Sequence, residues 1–209
     1  MLEKPMRQFK PEKLFKPRDF IKPELTDNCY LEIGAGRGLH AVQFTQANPD
    51  KQLIAIERTR VKFEDFAKRA KTDALNNLAP IHADAIPWVV HGLPPASLNG
   101  VFLLYPNPEP KNAAQRWLNM PFFEFLLSRL KPGAKIILAT NIQDYFEEAK
   151  QQAEQLWKLP FEAFEVDQNS KRTHFEIKYL ARGETCYQLE VTKPENYLTR
   201  FNDWLSEET

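Results

Sequence analysis

From residue 29 onward, short apolar runs alternate with amphipathic stretches, and that alternation limits the chain to a doubly wound α/β sheet more than any other feature. Runs at 29–33, 53–57, 80–83, 100–105 and 135–140 read as strands, and the stretches 39–47, 60–75, 86–91 and 115–130 between them read as helices. Lys131-Pro132-Gly133 predicts a stop to the fourth helix. A further helix is expected from Asn141 to about Trp157, with Asn141 or Asp144 as its cap. Past Pro160 the period shifts, and 161–167 and 175–191 alternate as an antiparallel strand pair closing the sheet edge, separated by the polar segment 168–174. A short polar helix is predicted at 197–205. The expected fold is therefore a seven-stranded α/β sheet, mostly parallel with an antiparallel C-terminal pair, forming one domain over 24–209.

Residues 1–23 are different. Pro5, Pro11, Pro17 and Pro23 each follow a lysine at six-residue spacing, which disfavours a continuous helix and predicts an extended arm anchored by Phe9, Leu14, Phe15, Phe20 and Ile21. The whole chain balances 28 basic against 28 acidic residues, which weighs against binding nucleic acid through bulk charge. That zero hides a split, because the arm holds seven basic and three acidic side chains and the body carries the compensating excess of acid. The arm reads either as a strap packed on the body or as a basic segment meeting RNA, and both can hold. A 43% hydrophobic and 27% charged composition excludes wholesale disorder. Cys29 and Cys186 lie far apart in apolar runs, predicting two buried free thiols rather than a disulfide or metal cage. No apolar run approaches the roughly 18–20 residues that span a bilayer, and residues 1–10 lack the apolar core of a secretory signal, so a cytoplasmic monomer or homodimer is expected.

The first strand runs into Gly34-Ala35-Gly36-Arg37-Gly38, where glycines allow a sharp turn and close approach to a ligand. Glu57, ending the second strand, is placed to accept hydrogen bonds from a ribose diol. The third glycine of a nicotinamide fingerprint is replaced by Leu39, and the lysine of a phosphate loop is absent. Glu32 before the turn suits a cationic ligand without phosphates. S-adenosylmethionine is such a ligand, with Asp84-Ala85 after the third strand on its adenine side. A strand-to-helix turn whose glycines serve packing alone is the plainer alternative.

After the fourth strand comes Tyr105-Pro106-Asn107-Pro108-Glu109-Pro110-Lys111, stiffened by three prolines and placed at the carboxyl end of the sheet. This run resembles the P-D-P-W-P-K signature of bacterial tRNA (guanine-N7-)-methyltransferases. In the same order, Leu31-Glu-Ile-Gly-Ala-Gly resembles their L-E-I-G-x-G, Ile54-Ala-Ile-Glu57 their I-G-I-E, Asp84-Ala85 their D-A, Ala139-Thr-Asn141 their A-T-D, and Thr173-His-Phe175-Glu176 their T-x-[FY]-E. The resemblance implies a Rossmann-like, S-adenosylmethionine-dependent enzyme acting on tRNA. It implies cofactor contacts from Glu32, Gly34, Gly36, Glu57, Asp84, Ala85 and Asn107, with Asn107 also beside the reacting methyl group. Lys111, Asn141, Thr173, Phe175 and Glu176 would face the guanosine and its tRNA. Asn107 and Asn141 replace aspartates of the family, Glu109 replaces its tryptophan, and the basic run behind its lysine is reduced to Arg116.

Two other readings stay open: Asn107-Pro-Glu-Pro110 as a relative of the N-P-P-[YF] loop of amino-methyltransferases, and a non-catalytic paralogue that binds the cofactor. The four histidines share no metal-ligand spacing and are expected on the surface or at caps. The four tryptophans are expected to serve packing, with Trp117 a partial exception, since it follows the proline-rich loop and is placed to line the entrance.

Overall fold

A computed structural model describes residues 7–206. Seven strands form one sheet in the order β3-β2-β1-β4-β5-β7-β6. They are β1 Cys29–Ile33, β2 Gln52–Glu57, β3 Leu78–His82, β4 Leu98–Leu104, β5 Leu130–Thr140, β6 Phe161–Glu165 and β7 Tyr187–Thr192. The first five run parallel, and β7 pairs antiparallel with both β5 and β6, as the sequence predicts.

Strand alternation divides the core. Leu31, Ile54, Val101, Leu103, Ile136 and Leu138 face one layer, packed by α3 (Ala85–Gly92), α4 (Phe122–Arg129) and α5 (Gln143–Gln151). Leu53, Ala55, Phe102, Leu104 and Ala139 face the other, packed by α1 (Leu39–Ala47) and α2 (Arg60–Thr72). Covering both faces lets the central strands be apolar throughout. Chain order reverses between β1 and β4, which puts the crevice for a ligand at their carboxyl ends.

Several expectations are corrected. Residues 174–181 form a helix, α6 (His174–Ala181), not strand. The Thr173 hydroxyl accepts a hydrogen bond from the Glu176 backbone N–H at 3.0 Å, so Thr-x-x-Glu acts here as a helix start. Gly183, at φ 75°, follows the helix end. The fourth helix starts only at Phe122, because Pro121 supplies no N–H, and Trp117–Asn119 is a separate 3₁₀ turn. It stops at Arg129, just before Lys131-Pro132-Gly133 as predicted, and residues 130–133 already belong to β5. Neither Asn141 nor Asp144 caps α5, which starts after Ile142, and the Thr140 hydroxyl accepts from the Ile142 N–H. The helix expected at 197–205 is a run of turns; the Phe201 carbonyl accepts from the Trp204 N–H and from Arg129, and the Trp204 carbonyl accepts from Arg129.

The described part of the arm is extended apart from the 3₁₀ turn Pro11–Lys13 and a turn at Arg18–Asp19, where the Phe20 N–H donates to the Pro17 carbonyl. Phe9 packs against Phe122, Phe125 and Phe201, and Phe20 against Trp88 and His91, while the Leu14 carbonyl accepts from His91 Nε2. The strap reading fits this packing, but Phe15 and Ile21 are exposed and anchor nothing. Both cysteines are buried free thiols. Among the described residues, no helix is long and apolar enough to cross a membrane.

Candidate functional site

The site begins where β1 ends. Gly34 and Gly36 adopt φ of 81° and 59°, and a Cβ at either position would meet no atom within 4 Å, so these glycines open onto free space. That space is a cavity of about 320 Å³, lined by Glu32, Gly34, Ala35, Gly36, Arg37, Leu39, His40, Lys62, Leu104, Thr173, His174 and Phe175. Its volume lies within the roughly 300–1,000 Å³ of small-molecule pockets.

Glu57 is buried and holds the turn in place. One carboxylate oxygen accepts from the Gly36 N–H at 2.8 Å and the other from the Thr59 N–H at 2.7 Å. Each oxygen retains lone-pair capacity for a further donor such as a ribose hydroxyl. Glu32, also buried, pairs through Oε2 with His40 Nδ1 at 2.9 Å. His40 is thus a buried member of the site and not the surface or cap residue that its lack of metal spacing suggested. The cradle at Gly34 and Gly36, with the Glu32 carboxylate in its lining and that of Glu57 bonded to the turn, fits a cationic, ribose-bearing ligand.

Asp84, Ala85, Asn107 and Asn141 stand beyond the ends of β3, β4 and β5, along the same edge of the sheet. Asp84 is exposed and caps α3 by accepting from the Ile86 N–H at 3.1 Å, and Ala85 opens that helix. Asn107 is exposed, with its side-chain oxygen 3.4 Å from the Glu109 N–H. Left-handed Tyr105 and Glu109, at φ 51° and 48°, bracket the proline-rich loop. Backbone of this kind costs about 1–3 kcal/mol per residue and is concentrated at functional segments. Arg116 is committed internally, donating to the Pro108 carbonyl at 2.9 Å and to Glu148 at 2.5 Å, which leaves Lys111 as the exposed cation of the loop. Asn141 donates to Glu184 at 2.7 Å.

Thr173 and Phe175 line the cavity opposite the glycine turn, whereas Glu176 is fully buried behind them. Its carboxylate accepts from Tyr105 Oη at 2.6 Å, from Arg172 Nη2 at 2.7 Å, and from the Ser170 hydroxyl. Glu176 therefore ties the start of α6 to the residue that opens the β4 loop. Burial alone would raise its pKa, but the hydrogen bonds from Arg172, Ser170 and Tyr105, with the charge of Arg172, outweigh burial and hold it at about 2. A folded value below the unfolded one adds stability above the unfolded pKa, and that stability is lost as pH falls from about 4.5 towards 2. Urea unfolding of wild type and Glu176→Gln is therefore expected to differ by up to about 3 kcal/mol at pH 7 and to converge near pH 2. A pH-independent difference would mean that the Glu176 charge is not what matters.

Motif reading overlooked His40, Lys62, Arg37, Leu39, Leu104 and His174 as lining residues. His40 carried a weak signal, lying in the first turn of the helix that follows Glu32, whereas Lys62 reaches the cavity from α2 with no local signal at all.

An open sheet in this order, with a glycine turn and a cavity at the carboxyl ends of its strands, defines the architecture of a methyltransferase. The 16S rRNA methyltransferase KamB shares it with a TM-score of 0.60 at 18% identity, over 82% of this chain and 96% of that one. A methyltransferase family model, Methyltransf_4, matches residues 26–189. The tRNA (guanine-N(7)-)-methyltransferase of Myxococcus xanthus is 31% identical over 170 residues, 78% of this chain and 82% of that protein. The Nitrosospira multiformis enzyme of the same name is 36% identical over 121 residues, 57% of this chain and 53% of that protein. The chain belongs to the tRNA (guanine-N7)-methyltransferase family. It spans about half the length of several of these relatives.

Proposed function

We propose that the protein transfers the methyl group of S-adenosylmethionine to N7 of a guanine in tRNA. The observation that carries this reading is one cavity walled by the glycine turn on one side and by Thr173 and Phe175 on the other, two motifs far apart in sequence. Glu32, Gly34, Gly36, Glu57, Asp84 and Ala85 hold the cofactor, which when bound supplies an electrophilic methyl group on a sulfonium. Guanine N7 has a lone pair and no proton, so the protein needs no general base and contributes alignment and exclusion of water. Asn107 sits beside the methyl group and offers a carbonyl acceptor to the guanine edge or the cofactor amine. Lys111, Asn141, Thr173 and Phe175 face the guanosine, and Glu176 acts from behind by fixing the start of α6. The arm 1–23 brings basic side chains to the RNA while packing on the body through Phe9 and Phe20.

Purified protein incubated with unmodified tRNA and methyl-labelled cofactor, followed by nucleoside analysis, is expected to yield 7-methylguanosine. Label on another base or on an exocyclic amine would refute the N7 assignment. Cofactor binding without transfer to any RNA would point to a non-catalytic paralogue.

A further inference from the structure

Glu32 lies in a strand whose neighbours Leu31 and Ile33 are core residues, and it is itself only 2% exposed. A buried carboxylate is costly to keep ionised, and an apolar pair of similar size would pack here at lower cost. Its only hydrogen-bond partner among the described residues is His40 Nδ1, at 2.9 Å. The His40 ring is set edge-on to Phe102 at 4.6 Å and lies 5.9 Å from Phe44, so packing fixes the direction of its donor. Both members of the pair line the cavity, where Glu32 is the single carboxylate. The other charged or titratable lining groups are Arg37 on the turn, Lys62 on α2 and His174 on α6. Arg37 is tied to Asp65 at 2.9 Å, and Lys62 lies over the Phe175 ring at 5.9 Å. A ligand ammonium entering this cavity therefore has one anionic acceptor, Glu32.

We propose that His40 is a positioning residue of this site, holding Glu32 by one oxygen and leaving the other to receive the ammonium of the ligand's amino-acid part. The inference rests on the reading that the cavity takes S-adenosylmethionine, and it adds the residue that makes the site selective for the amino-acid-bearing form. Glu57, read as the ribose acceptor, does not distinguish that form from a bare thio-nucleoside.

The test is calorimetry on the full-length protein with two probes, S-adenosylhomocysteine and 5′-methylthioadenosine, the second lacking the ammonium and carboxylate. His40→Phe keeps a ring against Phe102 and Phe44 but removes the donor, whereas His40→Asn keeps an N–H near the Nδ1 position. His40→Phe is expected to weaken S-adenosylhomocysteine about tenfold or more and to leave 5′-methylthioadenosine within about threefold. His40→Asn is expected to recover most of the lost affinity although it packs less well. Equal losses for both probes, or no recovery with Asn, would overturn the proposal by reducing His40 to a packing role. Failure of the wild type to bind either probe would instead sink the cofactor reading on which it stands.

Discussion

Gly38→Ala is expected to cost about 3–5 kcal/mol of stability and to abolish ligand binding at the glycine turn. A Cβ at this position would sit 2.0 Å from Phe66 Cδ2 and 2.6 Å from Cε2. Phe66 is fully buried between α2 and the sheet, so its ring has no room to retreat. Gly38 also holds φ 76°, which adds about 1–2 kcal/mol for any residue with a side chain. The functional consequence follows from connectivity. The Gly38 N–H donates to the Ala35 carbonyl at 2.9 Å, and the Gly38 carbonyl accepts from the Val42 N–H at 3.0 Å, so displacement moves both the turn and the start of α1. That segment carries Gly36, Arg37, Leu39 and His40, all of which line the cavity. Gly133→Ala is the matched control, because Gly133 has φ 77° but a Cβ there meets nothing within 4 Å. Urea unfolding of the two variants separates the backbone cost from the clash. Equal losses would show that the Phe66 contact is relieved without cost.

Arg129→Met is expected to lose about 3–5 kcal/mol and to release the segment after β7 from the body. The Arg129 side chain is fully buried and has no carboxylate among its hydrogen-bond partners. Nη1 donates to the carbonyls of Leu93 at 2.9 Å and Trp204 at 3.2 Å, Nη2 to that of Phe201 at 2.7 Å, and Nε to the Ser128 hydroxyl at 3.0 Å. Burial pushes the guanidinium pKa down from its ordinary value, and these acceptors satisfy the donors of its fork. The Phe125 ring, 4.4 Å from the guanidinium carbon, adds a cation–π contact. Methionine fills comparable space but takes the donor from the Leu93 and Trp204 carbonyls and one of two donors from that of Phe201. Because Phe201 also packs on Phe9 and Phe125, loosening the clamp frees the arm as well. Hydrogen exchange should show faster exchange around 199–204 in Arg129→Met, and Arg129→Lys should recover only part of the loss. A change under about 1 kcal/mol would make the clamp dispensable.

The parallel half of the sheet was legible because each central strand is a short apolar run and each crossover helix is amphipathic. These periods survive whatever the strand's neighbours are. The glycine turn, Glu57 and the proline-rich loop were legible for a related reason, since their backbone demands are written in residue types at fixed spacing. The C-terminal third was misread where two local signals competed. Residues 173–176 carry both β-like alternation and a Thr-x-x-Glu helix start. The helix wins because Thr173 caps it and the Glu176 carboxylate is saturated by Tyr105, Ser170 and Arg172. Residues 197–205 look helical alone, yet two of their carbonyls, those of Phe201 and Trp204, accept from an arginine some seventy residues earlier in the chain.

Motif order and periodicity were therefore enough to read an open α/β sheet, a glycine turn at the end of β1, and the family. They could not show that His40 is buried against Glu32, that Arg116 is spent on Glu148 and the Pro108 carbonyl, or that Glu176 is buried behind the cavity wall. Periodicity and turn chemistry are short-range properties of a single segment. The state of a polar side chain depends on which donors and acceptors distant segments bring to it after the sheet has closed. At this site, that long-range pairing sets which charges face the cavity and which are already satisfied.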